Sequence, residues 1–106
     1  MIQSVFRYFS IVAIALICSC GSIQYEKQIE ETERAFAQAR EQKAPERAPY
    51  EYYYAEAYLS QAREEAARSL YENAIRYAVA AQKYCLKASE IALARQKKRS
   101  DVSAIR

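Results

Sequence analysis

The chain reads as an all-α protein, and three observations carry that expectation. Its composition is dominated by Ala, Glu, Arg and Gln, with a single glycine, two prolines and no tryptophan among 106 residues, which is the profile of strong helix formers. Both prolines fall in Ala44-Pro45-Glu46-Arg47-Ala48-Pro49, so helix breaking is concentrated in one place. Beyond it Ala74, Ala78, Ala81, Cys85, Ala88 and Ala92 recur at alternating steps of four and three, the spacing of a heptad seam.

Taken in order, the first element is an export signal. Arg7 precedes the apolar run Ile11-Val12-Ala13-Ile14-Ala15-Leu16-Ile17, and small residues follow, which is the layout of a secretory signal. Ile17-Cys18-Ser19-Cys20 resembles the bacterial lipobox, in which a branched apolar residue lies three places before a cysteine that is acylated and becomes the new N-terminus. The resemblance implies a signal peptide over 1–19 and lipid on Cys20, with Cys18 as the alternative. Leu16 and Ile17 are bulky where the lipobox favours small side chains before the cysteine, which counts against Cys18. By resemblance to enterobacterial sorting rules, Gly21 after the cysteine permits passage to the outer membrane. Two other readings stay open. One is an ordinary secretory signal cut near Ser19. The other is a transmembrane helix, although that needs roughly 20 apolar residues and Ser10 interrupts the run.

After a short tether over 20–24, a helical domain over 25–99 is expected, ending in a basic flexible tail over 100–106. The first helix, about 23–43, has a thin apolar stripe of Ile29, Ala35, Phe36, Ala37 and Ala39 and leans on i,i+4 pairs such as Glu30 with Arg34. The second, about 49–68, starts where Pro49 suits a first turn and Glu51 complements the dipole. Tyr54, Ala55, Tyr58, Leu59, Ala62 and Ala66 would form its apolar side. Ser69-Leu70-Tyr71-Glu72 has the spacing of a capping box, so a tight turn is expected before a third helix, about 70–98, and one continuous helix is the alternative. The seam of that third helix invites close approach of its neighbours, and Cys85 occupies one of its small positions.

Ala57-Tyr58-Leu59, Ala66 and Ser69-Leu70-Tyr71-Glu72-Asn73-Ala74-Ile75-Arg76-Tyr77-Ala78 resemble one tetratricopeptide-type helical hairpin. No second copy follows, so a repeat array is not expected. The lipobox, the Ala-Pro break before a Tyr-rich helix, and Ala62-Arg63-Glu64-Glu65-Ala66 leading to Tyr71-Glu72-Asn73-Ala74 resemble small alanine-rich bacterial lipoproteins of an uncharacterised family, similar to domain of unknown function 4398. That resemblance covers most of residues 17–94 and implies an envelope location and a fold class, but no reaction.

The composition argues against chemistry. There is no histidine, which removes the usual proton shuttle and the commonest metal ligand, and one glycine is too few for a phosphate cradle. The acidic groups Glu30-Glu31-Glu33 and Glu64-Glu65 lie among arginines and read as solvated faces. No catalytic residue, metal, cofactor or small-molecule substrate is expected, and nucleic-acid binding does not suit an exported chain with a net charge of only +3.

Two surfaces remain. Tyr50, Tyr52, Tyr53, Tyr54 and Tyr58 cover too much of a helix for all to be buried, and Tyr50, Tyr52 and Tyr53 are the partner-binding candidates. The alternative is that Tyr54 and Tyr58 pack inside while Tyr50, Tyr52 and Tyr53 lie against the first helix. Arg95, Lys97, Lys98 and Arg99 form the candidate anionic-surface site, although cations at a helix C-terminus are favourable without a ligand. The functional expectation is a non-catalytic, lipid-anchored helical adaptor of the bacterial envelope, on the outer membrane and facing the periplasm. Its rivals are a self-assembling module pairing through the alanine seam and tyrosines, and an anionic-surface binder acting through the basic tail.

Overall fold

The computed structural model describes the backbone of residues 2–105 and the side chains of 2–14 and 21–105. The side chains of Cys18 and Cys20 lie outside the described residues. Four helices follow one another: α1 (Ile2–Glu41), α2 (Ala44–Arg47), α3 (Pro49–Ala67) and α4 (Tyr71–Ile105). The all-α expectation holds. α1 and α4 both exceed their expected lengths, because helical geometry runs on from the apolar N-terminal run into the polar segment, and from the seam through the region expected to be a flexible tail.

The three long helices run up, down and up. Thr32 of α1 meets Ala78 of α4 and Arg47, just after α1, reaches Gln96, so α1 and α4 are parallel. Tyr54 meets Tyr84 and Tyr58 meets Tyr77, so α3 is antiparallel to α4. All the seam alanines and Cys85 have no exposed surface. An alanine seam has no side-chain rotamers to freeze and lets two helices approach α4 closely at once. The space left between α1 and α3 is wider, and Phe36, Tyr52 and Leu59 fill it.

One polar layer crosses this interface. The buried Thr32 hydroxyl lies 2.8 Å from the Gln28 carbonyl and 3.1 Å from that of Ala78, and Gln28 Nε2 donates to Gln82 Oε1 at 2.7 Å. These bonds fix the register of α1 on α4, since a slip would strand the buried hydroxyl and part the half-buried amides.

Two of the three helix breaks use non-glycine residues in the left-handed region. Lys43 (φ 59°, ψ 37°) stops α1, its amide donating to the Arg40 carbonyl at 3.0 Å. At the end of α3, Ser69 has φ 62°. The Ser69 amide donates to Ala66 O and the Leu70 amide to Glu65 O, each at 2.9 Å, which is a complete Schellman motif. The turn is therefore present, but not as a capping box. Ser69 closes α3 by its backbone, and Leu70, whose carbonyl accepts from Ala74 at 3.0 Å, opens α4. Between α2 and α3, Pro49 pushes Ala48 out of helical geometry (φ −136°).

Replacing Ser69 by glycine removes a left-handed penalty of about 1 kcal/mol and is expected to raise the melting temperature by about 4–8 °C. By contrast, Ala81→Leu drives a large side chain into a fully buried position and is expected to cost about 1–3 kcal/mol. Circular-dichroism melts of the two variants check both.

Candidate functional site

The tyrosines divide between the core and one flank. Tyr52 is 5% exposed, its ring set edge-on to Phe36 with centroids 5.7 Å apart. That corrects the expectation of Tyr52 as a partner residue, because its ring fills the α1–α3 gap and has almost no surface to offer. Tyr50 and Tyr53 are exposed, at 71% and 56%. Tyr54 faces outward more than expected, and Tyr58 is half-buried.

The exposed flank gains two rings from α4 that the sequence did not single out. Tyr54 lies 5.0 Å from Tyr84, Tyr58 stacks on Tyr84 at 5.5 Å and 10°, Tyr77 lies 6.1 Å from Tyr58, and Tyr50 continues the row at 5.6 Å from Tyr54. Burial and then the neighbouring phenols push the Tyr58 hydroxyl above its usual range. Tyr77 and Tyr84 are separated by seven residues, so the signal was a heptad of aromatics on the α3-facing side of α4.

Between α1 and α3 runs an open groove of about 650 Å³, floored by Phe36 and Leu59 and edged by Tyr53 and Arg40. Arg63 bridges to Glu33 across it at 3.1 Å. Both side chains are more than half exposed, so this pair adds little stability. At the end of the bundle nearest α2, Ser89 Oγ and Gln42 Oε1 are buried without a protein partner.

The basic candidates separate as well. Arg95 donates to the backbone carbonyl of Arg47, and Arg47 donates to Gln96 at 2.8 Å. Arg95 thus caps the end of α2 and ties the connection to α4. Lys97, Lys98 and Arg99 are exposed on the extension of α4 past the bundle.

Cys85 is a free, fully buried thiol, and burial raises its pKa from 9.0 to about 11, with Arg40 pulling weakly the other way. It is packing material, as its seam position implied. Among the described residues no three acidic or thiol ligands converge on a metal site. No described helix is long and apolar enough to cross a membrane.

Fold and surfaces together define an elongated three-helix protein with an aromatic flank on one side. The chain belongs to the family described as Domain of unknown function (DUF4398), which it matches over residues 27–104. That span covers the packed part of α1 through nearly all of α4. No curated protein matches the chain, and no solved structure does.

Tyr52→Ala is expected to cost about 3–5 kcal/mol, as for other buried aromatics, whereas Tyr50→Ala stays within about 0.5 kcal/mol. Denaturant titrations separate the two. The Cys85 thiol is expected to resist alkylation at pH 8 until the chain unfolds, which peptide mapping of the modified residue reads directly. Because its folded pKa is raised, the contribution of Cys85 to stability is full below about pH 9 and is lost as pH rises towards about 11.

Proposed function

We propose that the chain is a non-catalytic lipoprotein of the bacterial cell envelope, anchored through lipid on Cys20, whose three-helix body acts as an adaptor for another envelope protein. One observation carries the anchoring half. From Ile2 to Ile14 every large apolar side chain is more than half exposed, with Ile2 at 78%, Phe6 at 72% and Phe9 at 75%. An apolar sleeve facing outward all round a helix is a poor fit to water. It fits a segment that enters a membrane during export and is then removed, as the lipobox-like Ile17-Cys18-Ser19-Cys20 implies. Two or more acyl chains at Cys20 would hold the remainder stably.

The adaptor half rests on Tyr50, Tyr53 and the outer edge of Tyr54. They offer large, rigid rings with a polar tip, at little entropic cost to a partner. The alanine seam is filled within the chain by α1 and α3, so it offers no surface for self-assembly.

The direction of the helices bears on the basic extension. Since α1 and α4 are parallel, Lys97, Lys98 and Arg99 leave the bundle at the end opposite Cys20. Contact with headgroups of the anchoring membrane would require the rod to lie flat. A role for these residues therefore points towards an anionic surface at the far end. Gly21 after the cysteine permits passage to the outer membrane, and we propose that the anchor lies there with the body facing the periplasm.

In cells fed labelled palmitate, the native chain is expected to carry label, and Cys20→Ala to lose it and accumulate unprocessed. Unchanged labelling of Cys20→Ala would move the lipid to Cys18, and an unlabelled, soluble native chain would sink the anchor. For the adaptor, a pull-down from solubilised membranes is expected to capture one envelope protein with the native chain and several-fold less with Tyr50→Ala/Tyr53→Ala. Equal capture by that variant would remove the tyrosines from the interface.

A further inference from the structure

Thr32 and Ser89 are the two buried polar residues among the described side chains, and their hydroxyls fare differently. That of Thr32 has two carbonyls within hydrogen-bond distance. Ser89 is 5% exposed, yet its Oγ meets no protein partner, and neither does the buried Oε1 of Gln42.

Spacing and register bring these two atoms to one place. Gln28 of α1 bonds Gln82 of α4. Gln42 lies two heptads beyond Gln28 and Ser89 one heptad beyond Gln82, so both continue the faces on which that pair meets. Gly21 faces Tyr71 and Thr32 meets Ala78, which sets Gln42 level with residues 88–92 of α4. The Gln42 amide still donates to the Gln38 carbonyl at 3.2 Å, so this residue keeps the direction of α1. A helical side chain leans towards the N-terminus, which carries the Gln42 amide group to the lower end of that span, where Ser89 lies.

A third group joins them. With Lys43 in the left-handed region, its amide donates to the Arg40 carbonyl and not to that of Ala39, which continued α-helical pairing would give it. The Ala39 carbonyl is thereby freed, on a residue with no exposed surface that the same register sets level with residues 85–89 of α4. Gln42 Oε1 and the Ala39 carbonyl are both acceptors, while Ser89 has a single hydrogen to give. Direct bonding would leave at least one acceptor bare, at a cost that buried polar groups rarely bear.

We propose that one buried water binds here and closes the C-terminal end of α1 onto α4. It accepts from the Ser89 hydroxyl and donates one hydrogen to Gln42 Oε1 and the other to the Ala39 carbonyl, three bonds being usual for an internal water. The α1–α4 contact then has a second polar layer next to the proline corner, beyond the one built on Thr32. This site is independent of the lipid anchor and of the tyrosine surface.

A high-resolution crystal structure of the full chain, grown from detergent, is expected to show one water within about 3.2 Å of Ser89 Oγ and Gln42 Oε1. A direct Ser89–Gln42 or Ser89–Ala39 bond with no water between would overturn the proposal. Denaturant titration gives a second reading by sign. A hydroxyl with no partner is better replaced by alanine, so Ser89→Ala would then stabilise the chain. With the bridge in place, Ser89→Ala is expected to raise the unfolding equilibrium constant about fivefold, and Gln42→Met to raise it by a similar factor. The double variant is expected to fall short of the product of the two, since both act on one water. A stabilising Ser89→Ala, or strictly multiplicative effects, would overturn the shared site.

Discussion

The close packing of two helices onto one run of small side chains is what the rest of the molecule depends on. Ala74, Ala78, Ala81, Cys85, Ala88 and Ala92 expose nothing, and α1 and α3 lie on either side of them. An alanine contributes little area, so stability is spread over many short contacts and concentrated at a few larger residues, Phe36, Tyr52 and Leu59, where the flanking helices diverge. That division explains why the aromatic content sorts as it does. Rings near the seam would push the helices apart, so they are placed in the wider α1–α3 gap or on the outer flank of α3 and α4.

The breaks between helices are set with similar economy. With a single glycine in the chain, both reversals must place a side-chain-bearing residue in the left-handed region, and Lys43 and Ser69 do so. Their backbone hydrogen bonds, together with the Arg95 contact to the Arg47 carbonyl, satisfy groups that would otherwise be stranded at helix ends. The short helix α2 is held at the top of the bundle by this side chain from α4, so the proline segment is a docked corner.

Much of this was legible in the sequence, and the failures have physical causes. The seam was read residue by residue, because a step of four and three with only small side chains has few other uses. The proline break and the start of α3 followed from backbone sterics. Thr32 was missed because a hydroxyl looks polar in sequence, and only the Ala78 carbonyl opposite makes its burial favourable. Tyr52 and Tyr54 were exchanged between inside and outside because the periodicity of α3 alone does not say where α1 lies against it, and α1 is what covers Tyr52. Ser69 was read as a side-chain cap because the spacing to Glu72 matched, whereas the Schellman closure depends on a φ angle that spacing does not encode. The row formed by Tyr54, Tyr58, Tyr77 and Tyr84 joins two helices and has no counterpart in either one alone.

The parallel course of α1 and α4 gives the molecule a defined length. With the N-terminal run of α1 included, the chain measures 87 × 18 × 13 Å with a radius of gyration of 21.0 Å, against about 13 Å for a globular chain of this size; the part where α1 and α4 run side by side is shorter. From the level at which Gly21 faces Tyr71, where an added Cβ would meet that side chain, α4 rises to Ile105 at 1.5 Å per residue, so its far end stands about 50 Å away. Because the intervening path is one unbroken helix, that separation behaves as a gauge. A deletion or insertion within α4 would reset it in increments of about 1.5 Å while also rotating the far end by about 100° per residue, so height and bearing change together.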